Sequence, residues 1–269
     1  MLDGAAAGRL VERLEGGDIR VDSAADKPFT RTLQQEAGRK LRFGAQRAMR
    51  VAQGLYENGY ITYMRTDSTQ LSAEAVEAAR RQVAERYGRD YLPEQPRVYA
   101  SKSKNAQEAH EAIRPAGSEI ADPAVVKRRL GDDESRLYDL IWKRTMACQM
   151  LDARGRRMQV RVKGSAAGRE AAFLARGSVI DFAGFLRAYV EGRKDPQAAL
   201  ADLDRILPPV SERDPLSAAL KSDEHSTNPP ARLSEAALIR ALEESGIGRP
   251  STYASIIDTI ERREYTFKK

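Results

Sequence analysis

Apolar residues recur three and four positions apart through much of the region from residue 32 to residue 150, a spacing typical of helices with one buried face. Thr32-Leu33-Gln34-Gln35 has the form of a capping box at a helix start, while Gly59 and Gly88 stand where helices would stop. A loop is expected at residues 92–106. The pattern predicts four main helices: Thr32 to about Leu41, about Ala45 to Glu57, Ser72 to Tyr87, and Ser135 to Met150.

The two flanks of this helical region show a different pattern. The first flank predicts a short helical piece from Leu10 to Leu14, then Gly16-Gly17 and a strand at Ile19-Arg20-Val21. After residue 150, short alternating runs separated by glycines indicate strands and turns. A linker rich in Asp, Pro and Ser follows at about 192–230, and helices return from Ser234. The simplest arrangement is an α+β, multidomain protein in which a helical domain is inserted into a β layer.

Composition adds only broad limits. The chain has 269 residues with 45 basic and 39 acidic side chains, so its net charge of +6 permits a nucleic-acid partner without requiring one. No apolar run has the length of about 20 residues that a membrane span needs, and no signal-peptide pattern is present, so we expect a cytoplasmic protein without a membrane partner. Because Cys148 is the single cysteine, an internal disulfide is excluded. Its sequence context predicts that it packs within a helix.

Three side chains suited to phosphate chemistry lie two residues apart in Tyr63-Met64-Arg65-Thr66-Asp67. In an extended segment they would project from one face, because side chains there repeat with period two. A guanidinium can hold a phosphate bidentately while the tyrosine attacks it, and a tyrosine with a pKa of about 10 needs such help. The alternative is a buried strand tyrosine beside two solvated charges.

A second group of candidate residues lies in Gln107-Glu108-Ala109-His110-Glu111-Ala112-Ile113-Arg114-Pro115. If residues 107–113 form a short helix stopped by Pro115, His110 and Arg114 share one face. The zinc-protease pattern fails because Arg114 stands where a second histidine is required. A histidine and an arginine that bind phosphate, or move a proton, remain possible, and so does an ordinary surface helix.

Residues 232–257 show a helix-turn-helix pattern. Pro250 suits the first position of the second helix, with Ser251 and Thr252 in the opening turn. A helix start with an arginine, Arg249, and hydroxyl groups can bind an anion. Phosphate contact and a plain helical hairpin are both compatible with this pattern.

Taken together, these segments resemble the type IA DNA topoisomerase family. The matching strings occur in the family's order over about residues 28–262, and four long strings in one register are highly specific. They are Thr32–Ala37, Leu55–Ser68, Gln107–Pro115 and Gly246–Ser255. The resemblance implies domains at 1–31 and 151–220 (a discontinuous β-rich arch), 32–150 (the helical domain with the catalytic tyrosine) and 221–269 (part of a helical single-strand DNA-binding domain).

The resemblance also implies an activity: single-strand cleavage through a 5′-phosphotyrosyl link, strand passage and religation, without ATP. It assigns Tyr63 as the nucleophile, Arg65 as a catalytic phosphate-binding arginine, and Asp67 and His110 as supporting residues. The implied partners are single-stranded DNA and negatively supercoiled duplex DNA, acted on by a monomer at the nucleoid.

The same resemblance implies the DNA contacts. Arg65 would hold the scissile phosphate, and Arg114 would also contact DNA. Arg249, Ser251 and Thr252 match the region of the family that grips the single strand.

One family component has no counterpart in the sequence. The family binds Mg²⁺ through an N-terminal Toprim domain with an Asp-x-Asp motif and a separate glutamate, whereas Asp202-Leu203-Asp204 lies in a polar linker without strand context. Magnesium is therefore implied, but no metal ligand is expected in this chain. We expect a central piece that lacks the Toprim domain and the C-terminal part, and that does not relax DNA alone. The alternative is a catalytically inactive remnant that binds single-stranded DNA.

Overall fold

The computed structural model describes residues 11–23, 32–99, 111–166, 169–189, 215–216 and 226–267. The chain folds into two compact units. The first unit comprises residues 1–25, 152–183 and 197–231, and the second comprises 26–151, 184–196 and 232–269. The helices of the described residues all lie in the second unit, and none of them is long and apolar enough to cross a membrane.

The first unit contains a four-stranded antiparallel sheet. Its strands are β1 (Val11–Ser23), β2 (Arg154–Ala166), β3 (Arg169–Phe182) and β4 (Pro215–Leu216), in the order β3-β2-β1-β4. β1 pairs with β2 from Val11 opposite Ser165 to Ser23 opposite Arg154. A sheet built from both flanks of the helical region therefore forms as expected.

Three local predictions in this unit are wrong. The described part of the predicted helical piece, 11–14, is strand, because its backbone pairs with β2. Gly16 and Gly17 do not separate two elements but lie at an irregularity in the register between Glu15 and Asp18, where glycine tolerates a bulge. Among the glycines expected to separate the strands after residue 150, Gly164 lies within β2 and Gly177 within β3.

The second unit is helical. The elements are α1 (Leu33–Glu36), which continues as a π-helical turn (Ala37–Leu41), α2 (Ala45–Glu57), α3 (Ala73–Tyr87), α4 (Pro123–Arg129), α5 (Asp132–Gln149), α6 (Glu235–Glu244) and α7 (Tyr253–Arg262). Short 3₁₀ turns lie at Arg89–Tyr91 and Gly184–Arg187. The four main predicted helices are confirmed, and α5 begins three residues earlier than predicted.

Local capping chemistry explains where these helices begin. Thr32 accepts a hydrogen bond from the backbone of Gln35, whose side chain in turn accepts from Thr32 N, so the predicted capping box is present. Ser72 caps α3 and Ser234 caps α6 in the same manner. Each of these residues satisfies a backbone N–H that the first turn leaves without an intrahelical partner.

The main core lies among α2, α3 and α5. Trp142, Leu55 and Val83 are almost completely buried in it, and the segment that carries Tyr63 packs on this core through Ile61 and Met64. Burial of each such side chain contributes about 1.5–3 kcal/mol. The core therefore gives the Tyr63 segment a rigid support.

The C-terminal helices pack on the same helical unit. A small apolar cluster joins Ala45 of α2 to Ile239, Tyr253 and Ile257 of α6 and α7. Glu235 also accepts a hydrogen bond from Ala45 N at the start of α2. We expected residues 221–269 to form a separate domain; residues 232–269 belong here to the second compact unit, and their independence stays a prediction.

Candidate active site and nucleic-acid interface

The segment with Tyr63 is irregular rather than a regular strand. Bends occur at Thr62, Met64 and Arg65, and the segment forms a single β-bridge, from Ile61 to Pro115. A regular extended strand, the condition under which the three candidate side chains would share one face, therefore does not form here.

Burial along this segment nevertheless alternates. Met64 and Thr66 are buried, with 5% and 9% of their surface exposed, whereas Arg65 is exposed and Tyr63 and Asp67 are half-buried. The three candidate side chains thus occupy the less buried positions of the segment.

Tyr63 is held against a second aromatic ring. Its ring and that of Tyr56 meet edge to face, with centroids 5.3 Å apart and planes at 72°. Tyr56 belongs to α2 and is 42% exposed, so the aromatic pair lies at the surface of the helical unit. This packing restricts the direction of the Tyr63 phenol and leaves part of its ring accessible.

Arg65 and Asp67 stand in different surroundings. The described residues form no hydrogen bond or ion pair with the exposed guanidinium of Arg65. All of its donors are therefore available to an incoming phosphate. Asp67 lies in the wall of a cavity that Met64 and Thr66 also line.

The second candidate group is bound to the first by backbone pairing. Thr62 N donates to the carbonyl of Arg114 and Ala116 N donates to that of Tyr60, both over 2.9 Å. The hydroxyl of Thr62 also donates to the carbonyl of Ala112 and accepts from Arg114 N. These bonds join two segments that are about fifty residues apart in the chain.

This pairing corrects the predicted helix at 107–113. In its described part, residues 111–113 are not helical: Ala112 N donates to the carbonyl of Gln70, and the carbonyl of Ala112 accepts from the hydroxyl of Thr62. His110 lies outside the described residues. Its shared helical face with Arg114 cannot form as predicted, since Arg114 is not in a helix.

Arg114 is a buried structural link in this arrangement. It is 7% exposed and makes a bidentate ion pair with Glu111, both contacts being 2.8 Å. Its remaining terminal nitrogen donates to the carbonyls of Pro115 and Gly117. A direct contact of Arg114 with DNA would have to replace these bonds, and the predicted contact stays a prediction.

Glu111 is a site residue that the sequence pattern did not single out. Besides Arg114, it accepts a hydrogen bond from the backbone N–H of Ser72 at the start of α3. Burial by itself raises the pKa of Glu111, but the hydrogen bonds from Arg114 and Ser72 outweigh it and hold the pKa below its usual value. The Glu111 carboxylate therefore links the start of α3, at Ser72, to Arg114.

The third candidate group lies in the loop between α6 and α7. The predicted start of the second helix at Pro250 is wrong: α7 begins at Tyr253, because Thr252 folds back and exchanges hydrogen bonds with the backbone of Arg249. Arg249 and Ser251 are exposed. Gln34 of α1 donates to the carbonyl of Pro250 over 2.9 Å, which fixes this loop to the helical unit.

The described residues contain no group of three or more His, Cys, Asp or Glu side chains placed to hold a metal ion. These residues do not fit a magnesium site. The expectation that the ligands lie outside this chain stays a prediction.

An exposed arginine two residues from a half-buried tyrosine, in a chain with one helical unit and one antiparallel-sheet unit, can be compared with known proteins. The family model described as DNA topoisomerase matches residues 13–269. The chain belongs to this family, as its motifs indicated.

The relatives specify the family member more closely, because they are bacterial enzymes named DNA topoisomerase 1. The Streptomyces coelicolor protein is 56% identical over the whole of this chain, and the Synechocystis protein is 52% identical over 98% of it. The chain spans about 30% of the length of these relatives. The structure of full-length topoisomerase I from Thermotoga maritima matches 98% of this chain and 42% of its own, with a TM-score of 0.77 at 31% identity.

Proposed function

We propose that Tyr63 transiently cleaves one strand of DNA, that another strand passes through the gap, and that the break is then resealed. The result is relaxation of negatively supercoiled DNA. The observation that carries this proposal is the family match over residues 13–269, which includes Tyr63 and the strings around it. The partly accessible position of Tyr63 supports it.

The chemical step conserves bonds. The phenolic oxygen of Tyr63 forms a bond to phosphorus while the bond from phosphorus to the 3′ oxygen breaks, which leaves a 5′-phosphotyrosyl link and a free 3′ hydroxyl. The phenol gives up a proton and the leaving oxygen gains one. Resealing is the reverse reaction. Because one phosphate ester replaces another, the cycle needs no ATP.

Arg65 is proposed to hold the phosphate that Tyr63 attacks. Its exposed guanidinium can donate two parallel hydrogen bonds to phosphate oxygens and offset the charge that develops in the transition state. Asp67, two residues further on, and His110, next to the Glu111 network, are proposed as supporting residues.

The loop between α6 and α7 is proposed to grip the same strand. Arg249 and Ser251 are exposed there, and Thr252 shapes the turn that presents them. This loop is linked to α1 through Gln34, so a strand bound to the loop is held on the unit that carries Tyr63. Contacts of this kind bind single strands through their phosphates.

A trapping assay tests the proposal. Labelled single-stranded DNA is mixed with the protein and Mg²⁺, the mixture is denatured, and covalent adducts are separated by electrophoresis. The assay is repeated with the regions of the Streptomyces coelicolor relative that this chain does not span. An adduct is expected in the second condition, and Tyr63→Phe abolishes it.

Tyr56→Phe is the matched control. It removes the hydroxyl of the ring that contacts Tyr63 and should preserve the adduct. Salt-sensitive DNA binding without an adduct in either condition would overturn the cleavage proposal. That outcome would favour the alternative, a single-strand DNA-binding protein without catalysis.

A further inference from the structure

The end of α2 places an aromatic side chain directly beside the proposed nucleophile. Gly59 follows the helix with a φ of +74°, a conformation that glycine adopts without strain, and Tyr60 N donates to the carbonyl of Leu55 over 2.8 Å. This turn brings the chain back towards the last turn of the helix. The ring of Tyr63 thereby meets the ring of Tyr56.

Tyr56 makes this contact through its ring. The two ring centroids lie 5.3 Å apart with planes at 72°, an edge-to-face arrangement that aromatic pairs favour. No group of the described residues forms a hydrogen bond with the Tyr56 hydroxyl. Tyr56 is 42% exposed, so burial in the core does not account for a tyrosine at this position. The aromatic pair with Tyr63 is the feature that a leucine in its place would lose.

The backbone on both sides of Tyr63 is fixed, whereas the direction of its ring depends on side-chain packing. Thr62 N donates to the carbonyl of Arg114, and Met64 is buried with 5% of its surface exposed. With the Cα atom of Tyr63 held in this way, rotation about the side-chain bonds decides where the phenolic oxygen lies. The ring of Tyr56 occupies one side of the phenol and excludes the rotamers that point there.

We propose that Tyr56 is a positioning residue for cleavage, whose ring holds the phenol of Tyr63 towards the phosphate bound at Arg65. This role rests on the proposed function, in which the phenolic oxygen attacks that phosphate. Attack requires the reacting atoms to lie about 3–3.5 Å apart and in line, and a displacement of about 1 Å lowers a rate by about 100-fold. Loss of the Tyr56 ring therefore slows cleavage. The DNA affinity stays, because Arg65 and the loop between α6 and α7 are proposed to provide it.

Two substitutions separate the ring of Tyr56 from its hydroxyl. Tyr56→Leu removes the ring and keeps an apolar side chain that favours a helix, whereas Tyr56→Phe removes only the hydroxyl. The rate of adduct formation is measured in a single turnover at saturating single-stranded DNA, and the DNA affinity by fluorescence anisotropy. Mg²⁺ and the regions of the Streptomyces coelicolor relative that this chain does not span are present. We expect Tyr56→Leu to lower the rate about tenfold or more with the affinity within twofold, and Tyr56→Phe to keep both within twofold.

Tyr87→Leu is the matched control. The ring of Tyr87 pairs with that of Tyr91 in the same helical unit, so its loss removes an aromatic pair that does not include the nucleophile. The rate of this variant should stay within twofold of the native rate. Fluorescence of Trp142, the only tryptophan in the sequence, reports whether each variant is folded. Tyr56→Gln, a second variant without the ring, should behave as Tyr56→Leu does.

A further measurement follows the ring of Tyr63 in this chain without DNA. In protein labelled with ¹³C in the tyrosine rings, Tyr63→Phe identifies the NMR signal of Tyr63 by its loss. The ring current of Tyr56 acts on this signal, so Tyr56→Leu should shift it. Tyr56→Phe keeps a ring and should leave the signal near its native position. An unchanged signal in Tyr56→Leu would contradict the ring contact.

The outcomes separate the positioning role from the proposed function. A rate within twofold of native in folded Tyr56→Leu and Tyr56→Gln would overturn the role and leave cleavage by Tyr63 standing. Equal losses of rate and affinity would overturn it in favour of a DNA contact, and an equal loss of rate in Tyr56→Phe would overturn it in favour of the hydroxyl. Absence of any adduct with the native protein would refute the proposed function, and this role with it.

Discussion

At the scale of single residues, two arginines of the same region have opposite environments. Arg65 is exposed and available, whereas Arg114 is buried and saturated by Glu111 and two carbonyls. The sequence makes both look like phosphate ligands, because an arginine's partner depends on contacts that spacing does not reveal. Their substitutions should therefore have different consequences.

Arg65→Lys should reduce the rate of cleavage more than the affinity for single-stranded DNA. The ammonium keeps the charge but cannot donate two parallel hydrogen bonds to a phosphate. We expect a rate loss of tenfold or more, on the scale of about 1.4 kcal/mol in the barrier, with less than a threefold loss in affinity. Adduct formation and fluorescence anisotropy measure the two effects. Equal losses would show that Arg65 serves only in binding.

Cys148 should be unreactive in the folded protein. Burial raises the pKa of its thiol to about 12, and the thiol donates a hydrogen bond to the carbonyl of Thr145. Only the thiolate reacts with iodoacetamide, so alkylation at pH 8 should be at least about tenfold slower than in urea. Mass spectrometry of the intact protein follows the reaction. Equal rates in both states would contradict the raised pKa of the Cys148 thiol.

At the scale of elements, local signals and long-range pairings were predicted with different success. The helix starts at Thr32, Ser72 and Ser234 follow from capping residues that act within four positions. The pairing of residues 60–62 with 112–116, in contrast, depends on chain segments far apart, and no local pattern encodes it. For the same reason the short helix suggested at 107–113 does not form in its described part, 111–113.

Arg114→Met should destabilise the helical unit. It leaves the Glu111 carboxylate partly buried without its ion pair, and loss of one partner of a buried pair costs about 3–5 kcal/mol. Urea unfolding followed by Trp142 fluorescence measures the change. Arg65→Met is the matched control and should change the stability by less than about 0.5 kcal/mol, since its side chain is exposed. Equal effects would contradict the assigned role of Arg114.

The contribution of Glu111 should depend on pH. Its pKa in the folded protein lies below the usual value of 4.5, so the ionised form stabilises the fold. The stability difference between the native protein and Glu111→Gln should be fully present above pH 4.5 and should shrink as the pH falls through the lowered pKa. Thermal unfolding at several pH values measures it. A difference that grows at low pH would contradict the network.

At the scale of the whole molecule, the family could be predicted from four separated strings, and the comparisons confirm it. The inserted helical region was predicted because apolar residues recur three and four positions apart within it, whereas short alternating runs follow it. The cavity with Asp67 in its wall was not predicted, because that wall collects residues from positions 32 to 250 that only the fold brings together.

The central claim is that Tyr63 forms the bond to DNA. Trypsin releases the peptide Val51–Arg65, which contains Tyr56, Tyr60 and Tyr63, so fragmentation of the trapped and nuclease-treated adduct distinguishes the three phenols. The adduct is formed with Mg²⁺ and with the regions of the Streptomyces coelicolor relative that this chain does not span. A nucleotide mass on Tyr63 alone is the predicted result. A nucleotide on Tyr56 or Tyr60, or no modified peptide under these conditions, would contradict the claim.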